Sequence, residues 1–70
     1  MRRIDIFAER FKHARMESGY TQEQFAESIN VTRSAITNWE RGVTYPSSLY
    51  LIDICECLRV SSDYLLGIGE

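Results

Sequence analysis

An all-α fold of five short helices is what this 70-residue sequence predicts, on three observations. Apolar residues recur at spacings of three and four rather than in strand-like alternation. Thr or Ser stands just before several of these runs, in the place of a helix cap. Gly or Asn stands just after most of them, where a chain leaves a helix through positive φ. A chain this short has room for one core, so residues 1–70 are expected to form a single domain.

Helix 1 is expected from about Asp5 to Ser18, closed by Gly19, with Ile4, Phe7, Ala8, Phe11 and Ala14 as its apolar stripe. Arg15 falls within that stripe, and a guanidinium there needs a buried partner. Helix 2 is expected over residues 22–29. Thr21 with Gln24 has the form of a capping box, and Tyr20 with Phe25 that of a hydrophobic staple. Phe25, Ala26 and Ile29 make its inner face, and Asn30 suits the left-handed turn that follows. Helix 3 is expected over residues 33–41, capped by Thr32, stapled by Val31 and Ile36, and stopped by Gly42. Its two sides differ sharply. Ala35, Ile36 and Trp39 take one, while Arg33, Ser34, Thr37, Asn38 and Arg41 spread over an arc of roughly 140° on the other. After the loop VTYPS, in which Pro46 restrains the backbone, helix 4 is expected over residues 48–58 with Leu51, Ile52, Cys55 and Leu58 inside. Ser61 caps helix 5, residues 62–66, with Val60 and Leu65 as a staple and Gly67 as its stop.

The formal charge of −2 argues against a general polyanion binder. Its distribution softens that. Up to Tyr45 seven Lys and Arg face six Asp and Glu, whereas beyond it Arg59 alone faces Asp53, Glu56, Asp63 and Glu70. The net negative charge therefore lies beyond the stretch VTRSAITNWERG, in the C-terminal third. No segment has the apolar length of a membrane span or the form of a secretion signal, and a cytoplasmic, nucleoid-associated protein is expected. Cys55 and Cys57, about 200° apart on a helix, cannot bridge one another, and with His13 distant they make no zinc set. No base is placed beside a nucleophile and no Gly-rich loop is present, so an enzyme is not expected. Neither a cofactor, a metal nor a small-molecule substrate is called for.

TQEQFAESINVTRSAITNWERG, read as helix, short turn, helix, resembles the phage repressor and Cro-type (XRE-like) helix-turn-helix family. The matching pieces are Thr21-Gln22, Phe25-Ala26, Ile29-Asn30-Val31-Thr32, Ile36 and Trp39-Glu40-Arg41-Gly42. Pro46-Ser47, Leu51 to Leu58, and Val60-Ser61 through Gly67 are similar to the last two helices of such domains. The resemblance implies a lambda-repressor-like fold and a double-stranded DNA partner, with helix 3 in the major groove. It implies base reading by Arg33, Ser34, Thr37 and Asn38. Phosphate contacts are implied for Gln22, Thr32, Arg41, Thr44 and Tyr45, and more weakly for Arg10 and Lys12. It further implies an ion pair of Arg15 with Glu40, locking helix 1 to helix 3. A homodimer on a palindromic site is expected, through an interface containing Tyr64, Leu65, Leu66 and Ile68, and transcriptional repression as the outcome. Three departures stand out: Asn30 where Gly is usual, cysteines where Ala is common, and a loop poor in Lys and Arg. The last favours a rival reading, a protein-interaction module such as an antitoxin.

Overall fold

The computed structural model describes residues 1–69; Glu70, one of the carboxylates of the acidic C-terminal stretch, lies outside them. Five helices follow in order: α1 (Arg3–Glu17), α2 (Gln22–Ser28), α3 (Arg33–Glu40), α4 (Ser48–Leu58) and α5 (Ser62–Leu66). Among the described residues there is no strand.

Helix α1 starts two residues before Asp5 because Asp5 acts from inside the first turn. Its carboxylate accepts the Arg2 backbone N–H at 3.0 Å and the Arg2 guanidinium at 2.9 and 3.2 Å. Thr21, Thr32 and Ser61 each accept a backbone N–H three residues on, from Gln24, Ala35 and Tyr64 at 3.0–3.2 Å. Gln24 returns the bond to Thr21 N–H at 3.0 Å, completing the capping box.

All five helices end the same way. A residue of positive φ follows the last turn, and the next N–H bonds back five residues: Tyr20 to Arg15, Val31 to Ala26, Val43 to Asn38, Val60 to Cys55 and Ile68 to Asp63. The left-handed residues are Gly19, Asn30, Gly42, Arg59 and Gly67. This closure satisfies carbonyls that the helix itself leaves open.

The core is built around Phe11. Its ring stacks on Phe7 (centroids 5.7 Å apart) and meets Phe25 and Trp39 edge-on at 5.5 and 5.9 Å. Ile36, Ile54 and Leu65 are fully buried beside it. Helix α1 thus packs against α3 and α5, with α2 against α3 and α4 against α5.

Helix α4 keeps three of its four expected inner residues and exchanges Ile52 for Ile54. Leu51, Ile54, Cys55 and Leu58 form its inner stripe, with Ile54 fully buried, while Ile52 is 56% exposed. Positions 51, 54, 55 and 58 keep the three- and four-residue spacing of one face, from which 52 departs by a full step. Cys55 and Cys57 are free and half-buried. Burial raises the Cys55 thiol above its ordinary pKa.

Candidate nucleic-acid interface

Helix α3 is short, and its orientation is set by what its inner side touches. Ile36 and Trp39 are buried, and Trp39 lies against Phe11 and Tyr50. At the border of that face stands Glu40. Arg15 donates to it through Nε at 2.5 Å and Nη2 at 3.2 Å, and through Nη1 to the Tyr20 carbonyl at 2.7 Å. Both side chains are less than one-tenth exposed. A paired, buried charge holds α1, α3 and the start of α2 in one register.

With the inner side fixed, Arg33, Ser34, Thr37 and Asn38 line a shallow hollow on the opposite side. Arg33 and Ser34 are exposed; Thr37 and Asn38 are half-buried. The Thr37 hydroxyl donates to the Arg33 carbonyl at 3.1 Å, which leaves its oxygen lone pairs and methyl for other contacts.

Gln22 is not a loose side chain at the α2 start. Its Nε2 donates to Glu40 Oε1 at 3.0 Å, and its Oε1 accepts from Arg33 Nε at 3.3 Å. One Nε2–H remains for an anion. Thr32 caps α3 through its oxygen and keeps its hydroxyl proton to donate. Arg41, the C-cap of α3, is exposed, as is Thr44, whose hydroxyl donates to the Tyr45 carbonyl at 3.2 Å. The Tyr45 ring leans on Phe7, centroids 5.5 Å apart. Gln22 and Thr32 therefore sit at the N-terminal end of α3, and Arg41, Thr44 and Tyr45 at or beyond its C-terminal end. Gly42 makes the close approach there. At φ +72° it accepts Arg2 at its carbonyl, and a Cβ would stand 3.0 Å from Asp5 Oδ1.

Two expectations need correction. Leu65 is fully buried in the core and has no surface to offer a second copy. It is the N4 member of the Val60 staple, and a staple residue points inward. Arg10, a weak phosphate candidate, instead donates to the Tyr64 carbonyl at 2.6 Å with its guanidinium 4.8 Å from the Tyr64 ring. Tyr64, Leu66 and Ile68 keep exposed or half-exposed surface. Sequence reasoning missed Glu23, whose Oε1 accepts from Arg33 Nη1 at 3.1 Å. The available signal was an acid at the start of one helix and a base at the start of the next.

A helix, a four-residue turn through a left-handed Asn30, and a second helix braced from behind with its polar arc outward define a helix-turn-helix domain. The chain belongs to the helix-turn-helix family, whose model matches residues 11–65. It is 39% identical over 61 residues to the HTH-type transcriptional regulator ImmR of Bacillus subtilis (strain 168), covering 87% of this chain and 48% of that protein. It is 41% identical over 64 residues to the HTH-type transcriptional activator BcrR of Enterococcus faecalis, covering 91% and 31%. A third relative, the uncharacterized HTH-type transcriptional regulator YazB of B. subtilis, is 34% identical over 61 residues, covering 87% and 88%. The chain spans about half or less of the length of ImmR and BcrR. No described helix is long and apolar enough to cross a membrane.

Proposed function

We propose that this domain is a sequence-specific reader of double-stranded DNA that regulates transcription as a repressor. The observation that carries the reading is the exposed hollow of Arg33, Ser34, Thr37 and Asn38 on a helix locked from behind by Arg15 and Glu40. A guanidinium offers the two parallel donors that guanine O6 and N7 accept, an Asn amide matches adenine, and a Thr methyl meets the thymine methyl. Gln22, Thr32, Arg41, Thr44 and Tyr45, spread between the two ends of α3, supply backbone contacts that fix its register in the groove. The names of these relatives, all those of transcriptional regulators, favour use in transcription regulation.

Four reading side chains cover too few base pairs for a genome, so the domain acts as a dimer on an inverted repeat. Half-sites one turn apart lie about 34 Å centre to centre. The longest dimension of the domain, 31 Å, is close to that spacing. The contact uses Tyr64, Leu66 and Ile68. Next to them, two apolar hollows share Ser48 and Leu51 and carry the surface from Ile68 to Ile52.

Selection of bound sequences from a random duplex pool at moderate salt tests the proposal. An enriched inverted repeat that silences a promoter built over it is the expected result. No enrichment at any salt overturns DNA reading and turns attention to a protein partner. Enrichment with increased transcription, the direction in BcrR's name, keeps the reader and overturns the repressor.

A further inference from the structure

Glu23 is out of place on a surface meant for DNA. It stands in the first turn of α2, 73% exposed, where a helix N-terminus would otherwise favour a phosphate. Its carboxylate pairs with Arg33, the foremost base reader of the proposed interface, at 3.1 Å.

The neighbouring bonds fix how Arg33 is held. A carboxylate only accepts, so the Gln22 amide must turn its Nε2 to Glu40 and its Oε1 to Arg33. The result is one chain of alternating donors and acceptors: Arg15 to Glu40, Gln22 to Glu40, Arg33 to Gln22, Arg33 to Glu23. It runs from a buried ion pair to the solvent edge of α3. Within it Arg33 spends its Nε–H and one Nη1–H, and of the five guanidinium donors three remain, two of them on Nη2. A guanine edge needs two. The guanidinium is therefore gripped by one helix, with both Nη2–H and one Nη1–H left to donate.

We propose that Glu23 is a positioning residue that sets base preference at the Arg33 contact. The proposal rests on the DNA reading of α3. An unbraced Arg side chain is long, flexible and attracted to any phosphate. The Glu23 carboxylate cancels that general attraction and, with Gln22, holds the head group where only a suitable base edge satisfies it. Glu23 thus trades affinity for any duplex against selectivity for one.

The test runs the random-duplex selection in parallel for the wild type, Glu23→Gln, Glu23→Ala and Glu27→Gln. The last removes the same charge from one turn further along α2 and controls for net charge; thermal melting confirms that each variant folds. The wild type and Glu27→Gln are expected to enrich the same base pair at the Arg33 position. Both Glu23 variants are expected to lose at least threefold of that preference, while binding a scrambled duplex more tightly. Their affinity should also fall with salt more steeply, by about one phosphate contact. If the Glu23 variants enrich the wild-type motif with its preference unchanged within twofold, the proposal is overturned and the DNA reading stands. Equal relaxation in Glu27→Gln also overturns it, since charge alone then accounts for the effect. A wild type that enriches nothing overturns the DNA reading and this proposal with it.

Discussion

Arg15 and Glu40 each carry a charge out of water at the border of the core, and the value of the pair lies in its completeness. Every donor of Arg15 that finds Glu40 or the Tyr20 carbonyl replaces a lost water contact, and Glu40 also receives Gln22. Removing one partner leaves a desolvated charge, so Glu40→Ala should destabilise the domain by about 3–5 kcal/mol in urea unfolding. The double variant Arg15→Met, Glu40→Leu should recover at least half of that loss, because an apolar pair strands no charge. Asp5 shows the exposed counterpart. Hydrogen bonding to the Arg2 side chain, then to the Arg2 backbone, holds its carboxyl below the ordinary value of 3.8. A depressed folded-state value stabilises above the unfolded pKa and is lost as pH falls through the folded one. The stability gap between the wild type and Asp5→Asn should therefore stay constant near neutrality. It should begin to close as pH drops below about 4.

At the scale of helices, the closures explain both what was legible and what was not. Gly19, Asn30, Gly42 and Gly67 announce four of the five helix ends, since each tolerates the positive φ that the closing turn demands. Arg59 does the same work at the end of α4 with a Cβ in the way, at φ +56°. Arg59→Gly should raise stability by about 0.5–1 kcal/mol, the left-handed penalty less the added unfolded-chain entropy of Gly. Thermal melting should register this as an increase of several degrees. The N-terminal ends were legible for the same local reason, through Thr21, Thr32 and Ser61. The inner face of α4 was not. LIDICECL is apolar nearly all round, so its periodicity admits Ile52 or Ile54, and only packing against the rest of the domain selects Ile54.

For the molecule as a whole, the polar arc of α3 could be seen in the sequence because one short helix contains it. The grip of Glu23 on Arg33 could not, because it joins residues ten apart on two different helices and depends on how those helices cross. Leu65 illustrates the opposite error, an apolar residue assigned to an outer surface when the staple geometry had already placed it inside. The proposed dimer now rests on Tyr64, Leu66 and Ile68. Ile68, 49% exposed, is the member whose change disturbs the core least. Ile68→Glu should weaken binding to the inverted repeat at least tenfold and leave binding to a single half-site unchanged, as read by gel shift on the two duplexes. The proposed reading of bases by α3 through Arg33 is open to a single comparison. The wild type and Arg33→Ala are titrated onto the selected duplex and onto its variants carrying each of the four base pairs at every position in turn. Arg33→Ala is expected to lose about 1–3 kcal/mol on the selected duplex, with discrimination abolished at one symmetric base pair and kept elsewhere. Equal weakening on every duplex, with all base preferences intact, would contradict it and reduce Arg33 to a phosphate contact.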